Sequence, residues 1–174
     1  MLFFTDPVRT PDPEAIAARL PPGTAIVYRA FGHSDAEARA RRLLIIARSR
    51  HLKLLIGQDV GLALRIGADG VHLPERLAHL ATPLKRARPG WIVTTAAHSL
   101  RAARLRGPDA VVLSVALPSR SPSAGPALGP VRLAARVRAA GGGAYALGGI
   151  NNKTARRLVG AGLIGLAAVD GFDV

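Results

Sequence analysis

Short apolar runs alternate along the chain with segments in which apolar residues recur at helical spacing. The runs are rich in Val, Ile, Leu and Ala, as buried strands are, and the segments between them have the period of amphipathic helices. We therefore predict about eight strands and about seven helices in alternation. The strand-like runs are LFF, TAIVYRAF, LKLLIG, GVHL, WIVTTAA, AVVLSVA, AYALGGI and GLAAV.

This alternation predicts an α/β fold with parallel strands, because strand–helix–strand units form right-handed crossovers. Eight units favour a closed (β/α)8 TIM barrel, compact and formed as one domain over residues 1–174. No helix is predicted after GLAAV, so the barrel is expected to lack its last helix. Apolar surface left exposed by that gap is commonly buried by a partner subunit, and we expect a homodimer.

Local signals support the predicted element ends. Glycine corners such as GADG before GVHL indicate that a helix ends there on a left-handed residue. Ser34, with Glu37 three residues later, predicts a capping box at the start of the second helix. Asn151 or Asn152 is expected to open the helix that follows AYALGGI.

The composition narrows the class of protein. Hydrophobic residues make up 49 % of the chain and aromatic residues only 4 %, so the core must consist mainly of small aliphatic side chains. The absence of cysteine excludes disulfides and thiolate metal sites. No apolar run approaches the roughly 18 residues of a membrane span, and the N-terminus does not resemble a signal peptide. We expect no membrane partner and a cytoplasmic location.

The net charge of +13 raises the question of nucleic-acid binding. Of the 24 basic residues 21 are arginine, and many fall at helical spacing on predicted outer helix faces. No aromatic residues interleave with them, and no helix-turn-helix or zinc pattern is present. A solvated basic surface is the simpler interpretation, and a basic nucleic-acid-binding barrel stays as a disfavoured alternative.

In such barrels the chemistry lies on the loops after the C-terminal ends of the strands. After the seventh strand, Gly148-Gly149 would let backbone N–H groups approach a phosphate at a helix start. A tight turn that simply needs glycine explains the same residues equally well. The loop at 117–129 carries Ser119, Arg120 and Ser121, which could grip an anion or serve only as turn residues.

The histidines give weaker signals. His72 lies in a predicted strand and is more typical of a core histidine than of a base. His98 precedes Ser99, where a helix cap is the simpler explanation. No spacing of His, Asp and Glu resembles a metal site, and no catalytic triad is evident.

Several motifs in order resemble the thiamine-phosphate synthase/TenI family over roughly residues 25–172. The resemblance implies a (β/α)8 barrel in thiamine biosynthesis. The family's synthase joins a pyrimidine methyl pyrophosphate to a thiazole phosphate with Mg²⁺ and releases pyrophosphate, whereas TenI is a thiazole tautomerase. The motifs are GADGVHL, HSLRAA, LPSRSPSAGPALG, ALGGINNKTARRLVGAG and GLAAVDGF.

Residue by residue, the resemblance assigns catalytic roles to Arg29, Ser119 and Ser121. It implies no certain metal ligand, and Mg²⁺ only if synthase activity is retained. The positions that it assigns to binding a small phosphorylated molecule are Arg120, Gly148, Gly149, Ala167 and Ala168.

Other family positions have changed. Gly57 and Gln58 stand at the family's Asn-Asp metal pair, and Leu77 stands at a second metal aspartate. Two lysine positions are lost as well, at Phe31 and Pro122. A further change places Asp170 where the family has a serine, and its charge is expected to repel a phosphate.

Three functions remain open from the sequence. The first is a thiamine-biosynthesis enzyme with weak, altered or absent activity, either a transferase of the synthase type or a TenI-like thiazole tautomerase. The second is a non-catalytic homologue that binds a phosphorylated or small apolar ligand or regulates a partner. The third is the nucleic-acid-binding barrel.

Overall fold

A computed structural model of the protein describes residues 1–119, 121, 124–141 and 143–170. Eight parallel strands form a closed barrel in sequence order, with β1 hydrogen-bonded to both β2 and β8, and this confirms the predicted (β/α)8 class. The strands are β1 Leu2–Phe4, β2 Ala25–Tyr28, β3 Lys53–Gly57, β4 Gly70–Leu73, β5 Ile92–Ala97, β6 Ala110–Ser114, β7 Ala144–Leu147 and β8 Gly165–Ala168.

Seven α-helices lie between these strands in the described part of the chain, and none of its residues after β8 is helical. Two 3-10 helices, Glu75–Leu80 and Arg156–Leu158, precede α4 and follow α7 respectively. The α-helices are α1 Pro13–Ala17, α2 Ala36–Ser49, α3 Val60–Ile66, α4 Ala81–Ala87, α5 Leu100–Ala103, α6 Gly129–Ala139 and α7 Asn152–Ala155.

The core has an inner and an outer part, because neighbouring residues of a strand point to opposite faces. Phe3, for example, packs with Leu20 and Leu43 of the surrounding segments, whereas Leu2 and Phe4 belong to a separate inner cluster. That inner cluster fills the barrel with Leu2, Phe4, Ala25, Val27, Leu55, Val112, Ala167 and Val169.

Most of the local signals in the sequence act as expected. Gly67 ends α3 in the left-handed conformation with φ 69°, and Asn151 opens α7 with a capping box. The capping box expected at Ser34 is wrong: α2 begins at Ala36 after Asp35, and no side chain caps it. Glu37 instead pairs with Arg41 one turn further along α2 and with Arg65 of the neighbouring helix α3.

None of the helices in the described part of the chain has the length and apolar character needed to cross a lipid bilayer.

Candidate functional site

The mouth of the barrel, where the strands end, combines polar side chains from several strands. Register pairs Ser114 with Leu147 and His72 with Thr94, and Leu147 packs against the inner cluster. Paired residues of neighbouring strands share a face, so Ser114 faces the barrel axis as Leu147 does. Arg29 follows inner Val27 by two residues and continues the same face at the mouth.

Arg29 is held tightly on the β1 side of the mouth. Its backbone N–H donates to Thr5 Oγ1 at 2.9 Å, its Nε donates to the Thr5 carbonyl at 2.7 Å, and its Nη2 lies 3.2 Å from Asp6 Oδ2. Its guanidinium also lies 4.9 Å from the centre of the Phe31 ring. Burial lowers the pKa of this guanidinium, and the charge of Asp6 opposes the shift.

Arg9 connects β1 to the end of β8. Its guanidinium forms two hydrogen bonds to the carboxylate of Asp170, one of them from Nε to Oδ2 at 3.0 Å. The backbone N–H of Arg9 donates to Asp6 Oδ1 at 3.1 Å. Burial opposes ionisation of Asp6, but the backbone N–H groups of Arg9 and Val8 and the nearby guanidinium charges lower its pKa. The negative charge of Asp170, expected from the sequence to repel a phosphate, is therefore balanced by Arg9.

His72 lies under the mouth and is buried. Its Nδ1 is 2.9 Å from Thr94 Oγ1, and its ring meets Phe4 edge to face with 4.9 Å between centroids. Burial lowers its pKa to about 3, assisted by the positive charges of Arg29 and His98. The prediction of a core histidine is confirmed by this burial, and the lowered pKa favours the neutral ring.

His98 extends over the mouth from the end of β5. Its Nδ1 lies 3.0 Å from Ser114 Oγ at the end of β6. Its backbone is held at both ends, since its N–H donates to Glu75 Oε2 at 2.5 Å and its carbonyl accepts from Arg136 Nη1 at 2.6 Å. Ser99 is the cap of α5, as expected. His98 and Ser114 thus form an exposed polar pair that can exchange a proton with a ligand.

The Gly148-Gly149 turn after β7 packs directly on the segment after β6. Gly148 has φ 101° and Gly149 has φ 67°, and a Cβ on Gly149 would lie 2.4 Å from the Pro118 carbonyl oxygen. Close packing therefore requires glycine here whether or not a ligand binds. Among the described residues, the backbone N–H groups of Gly149 and Ile150 have no hydrogen-bond partner.

The start of α7 is already occupied by its own side chains. Asn151 Oδ1 accepts from the N–H groups of Lys153 and Thr154, and the Thr154 hydroxyl donates to the Gly149 carbonyl at 2.7 Å. Because these two helix N–H groups are satisfied, an anion would depend mainly on the N–H groups of the turn itself.

The remaining residues assigned from the resemblance lie near this turn. Ser119 Oγ accepts from the Ser121 N–H at 3.2 Å within the loop after β6. Ala167 lies beside Leu147 in the register of β7 and β8, and Ala168 pairs with Phe3 of β1. Arg120 lies outside the described residues. Arg29 follows β2, which lies three strands around the barrel from β7 and its turn.

The side chains present do not fit a magnesium ion. Gln58 Oε1 accepts a hydrogen bond from Arg76 Nη2 at 2.5 Å, and Asp59 caps α3 by accepting from the Leu62 N–H at 2.8 Å. Leu77 contributes no oxygen ligand. No three His, Cys, Asp or Glu side chains are grouped around a common point anywhere in the described ranges. Mg²⁺ prefers carboxylate oxygens, and the carboxylate of Asp59 beside Gln58 already accepts the Leu62 N–H through Oδ1.

Sequence reasoning missed the pairs His98–Ser114 and Gln58–Arg76. The members of each pair are 16 and 18 residues apart, so neither falls within a local motif. The only sequence signal for them is position: each residue follows or ends a strand of the repeating unit, and strand ends meet at one rim of a parallel barrel.

The chain is similar to known proteins in both sequence and fold. The family model described as thiamine monophosphate synthase matches residues 2–172. The thiamine-phosphate synthase of Chromobacterium violaceum is 32 % identical over 165 residues, which cover 90 % of this chain and 79 % of the relative. The thiamine phosphate pyrophosphorylase structure from Pyrococcus furiosus superposes with a TM-score of 0.79 at 24 % identity, covering 97 % of this chain and 84 % of the other. An HpcH/HpaI aldolase from Desulfitobacterium hafniense, at 13 % identity and a TM-score of 0.65, covers 97 % of this chain and 85 % of its own and shares the fold alone.

Proposed function

The chain belongs to the thiamine monophosphate synthase family, and on that premise we propose that it binds a small phosphorylated molecule at the barrel mouth with little or no synthase activity. The Gly148-Gly149 turn holds the phosphate in this proposal. Among the described residues the N–H groups of Gly149 and Ile150 have no hydrogen-bond partner, and this observation supports the proposal most directly, since backbone donors in such a turn suit an anion.

The low activity follows from the changed positions at the β3 and β4 ends. Gly57, Gln58 and Leu77 supply no carboxylate for Mg²⁺, and Phe31 replaces a lysine that the resemblance places near the departing pyrophosphate. Removing one group that stabilises developing charge typically costs about 10²-fold or more in rate. Losses within one catalytic unit need not add, yet two or three of them bring turnover below detection.

Measuring pyrophosphate release tests whether the chain has synthase activity. The purified chain is incubated with the pyrimidine methyl pyrophosphate, the thiazole phosphate and Mg²⁺, with the Chromobacterium violaceum relative as the positive control. We expect no release above background from this chain. Turnover comparable to the control would overturn the proposal of lost activity.

Phosphate binding is tested separately by amide chemical shifts. Titration with thiazole phosphate should move the N–H resonances of Gly149 and Ile150, while those of Gly23 and Gly90 at exposed turns stay in place. Unmoved resonances at the turn would contradict the binding proposal.

A TenI-like thiazole tautomerase is the second candidate, and His98 is the residue that favours it. His98 Nδ1 reaches Ser114 Oγ at 3.0 Å from the end of the neighbouring strand, so an imidazole lies at the barrel mouth. A histidine at the mouth can take a proton from one atom of a bound heterocycle and return it to another. His98→Gln should then abolish tautomer conversion without weakening thiazole phosphate binding.

The proposal also covers the oligomeric state of the protein and its location in the cell. We infer a homodimer, because the large apolar side chains of Val159 and Ile164 are exposed just before β8. A cytoplasmic location and weak, salt-dependent attraction of polyanions to the basic surface remain predictions from the sequence.

A further inference from the structure

We propose that the guanidinium of Arg76 takes the place of a divalent metal at this barrel mouth, so that a phosphate-type anion binds there without any metal. The inference rests on the proposed function and deepens it, since it names the group that neutralises the ligand's charge. It also follows from the disagreement between the donor set at the mouth and the magnesium ion that the family implies.

The guanidinium is positioned by the residue at the family's metal position. Gln58 has φ 67°, and its backbone N–H donates to the His72 carbonyl at 2.8 Å, so the corner after β3 is fixed against β4. From that corner Gln58 Oε1 accepts the 2.5 Å hydrogen bond from Arg76 Nη2. Arg76 itself is carried by the 3-10 helix that follows β4.

The charge of Arg76 is uncompensated. Its contact is a neutral amide, and no carboxylate lies within 4.0 Å of its guanidinium among the residues that the structure describes. Six other arginines do form ion pairs in that part of the chain: Arg9, Arg29, Arg39, Arg41, Arg42 and Arg65. A guanidinium has five N–H donors in a planar fork that suits phosphate oxygens, and Gln58 uses one of them.

A second cation flanks the same corner. Gly57 lacks a side chain, and a Cβ there would lie 3.2 Å from Arg29 Cγ, so the small residue leaves room for Arg29 beside the corner. Arg29 is paired with Asp6, whereas Arg76 is not. Two guanidinium groups therefore flank the corner, beside the carboxylate of Asp59 at the start of α3.

The contacts of Gln58 and Asp59 also disfavour a metal ion at this corner. The Gln58 amide oxygen is already engaged by a cation, and Oδ1 of Asp59 accepts the Leu62 N–H at the start of α3. A divalent ion beside the Arg76 guanidinium would also be repelled by a charge of the same sign. An organic cation supplied by the chain avoids that repulsion.

Calorimetry with inorganic pyrophosphate tests the inference on the full chain. In buffer containing EDTA, wild type should bind pyrophosphate, and Arg76→Gln should weaken the affinity about tenfold or more. Arg76→Lys keeps the positive charge but loses the planar guanidinium with its paired N–H donors. Its affinity for pyrophosphate should therefore lie between those of wild type and Arg76→Gln. The matched control is Arg86→Gln on the outer face of α4, which removes one exposed guanidinium and should change the affinity less than about twofold.

Three results would overturn the inference, and the first two concern the affinity for pyrophosphate. One is an unchanged affinity in Arg76→Gln whose thermal unfolding matches wild type, and the other is wild-type binding that requires a divalent ion. Absence of pyrophosphate binding under every condition also overturns it. Since Arg76 and Gln58 are both exposed, the variants should fold, and circular dichroism checks this.

Amide and guanidinium resonances separate this inference from the proposed function. Pyrophosphate should shift the Arg76 Nε–H and the Gln58 side-chain amide, whereas thiazole phosphate should shift Gly149 and Ile150. If pyrophosphate leaves the Arg76 and Gln58 resonances unshifted while thiazole phosphate shifts Gly149 and Ile150, the role of Arg76 is overturned and the phosphate turn stands. If instead only the Gly149 and Ile150 resonances stay unshifted, phosphate binding at the turn is contradicted and the role of Arg76 stands.

Discussion

Glu75 Oε2 accepts a hydrogen bond from the backbone N–H of His98 at 2.5 Å, so a carboxylate from the segment after β4 fixes the segment after β5. The other oxygen of Glu75 accepts from the Ser99 hydroxyl at 2.7 Å. One side chain therefore sets the position of His98 and, through it, the contact with Ser114. Burial opposes ionisation of Glu75, but the hydrogen bonds from His98 and Ser99 outweigh it and lower its pKa.

Glu75→Gln should destabilise the fold by about 1–2 kcal/mol at neutral pH, because hydrogen bonds to a charged group contribute more than neutral ones. The folded-state pKa is lowered, so this stabilisation is present above the unfolded pKa of about 4.3 and is lost as the pH falls through the folded value. Urea unfolding at several pH values measures it. Glu14→Gln, which breaks only a surface pair with Arg42, should cost less than about 0.5 kcal/mol. Equal costs for the two variants would contradict the role of Glu75.

His72 should make the protein sensitive to acid. Its folded pKa is about 3, and that of an unfolded histidine is about 6.5. The unfolded chain thus binds the proton first, and stability is lost as the pH falls from about 6.5 towards 3, by up to ~1.4 kcal/mol per pH unit. His72→Asn keeps an amide near Thr94 and removes this titration, so its unfolding free energy should depend less on pH across that window. The exposed His79→Asn serves as the control, and a pH dependence in His72→Asn equal to that of wild type would refute the prediction.

Gly149→Ala should destabilise the barrel by about 2 kcal/mol or more. The new Cβ would lie 2.4 Å from the Pro118 carbonyl oxygen, in a backbone conformation with φ 67° that side chains rarely adopt. Gly90→Ala is the matched control, because nothing lies within 4 Å of its added Cβ, and it should stay within about 0.5 kcal/mol of wild type. Chemical denaturation of both variants provides the comparison. An unchanged free energy of unfolding in Gly149→Ala would contradict the prediction and mean that the loop after β6 moves away from the new Cβ at little cost.

Asp170→Ser should strengthen binding of inorganic phosphate. The change removes a negative charge from the end of β8 and releases the Arg9 guanidinium, which Asp170 holds in the present structure. The gain should decline with added salt, because both groups are partly exposed and screened. Titration calorimetry at two ionic strengths measures it, with Glu37→Gln on α2 as a variant of equal charge change. Unchanged or weaker affinity in Asp170→Ser would remove the case for a phosphate site at the neighbouring turn.

Self-association should depend on the apolar surface before β8. Val159 is 84 % exposed and Ile164 is 54 % exposed, and burying such side chains favours association. Light scattering should show a dimer for wild type and a monomer for Ile164→Glu. Ile45→Glu replaces an equally apolar, 69 % exposed residue on α2 and should leave the dimer intact. A wild-type monomer at every concentration would count against association.

Local periodicity was enough to predict the barrel. The run LFF forms β1 and GLAA forms β8, and GVHL forms β4, because buried parallel strands and amphipathic helices each impose their own spacing on the chain. The Asn151 cap and the Gly67 corner were predictable for the same reason: each depends on residues within one turn of the backbone. The predicted cap at Ser34 is wrong because α2 begins one residue later than the motif requires, at Ala36 after Asp35, and Glu37 pairs with Arg41 and Arg65.

The sequence by itself determined the order of strands and helices, the small aliphatic core and the loops that meet at the mouth. Only the tertiary structure decided which charges meet there: Asp170 pairs with Arg9 across 161 residues of sequence, and Arg76 reaches Gln58 from the next strand-end segment. Hydrogen bonds and ion pairs act over a few ångströms in space, and closure of the barrel brings together residues that no sequence spacing relates.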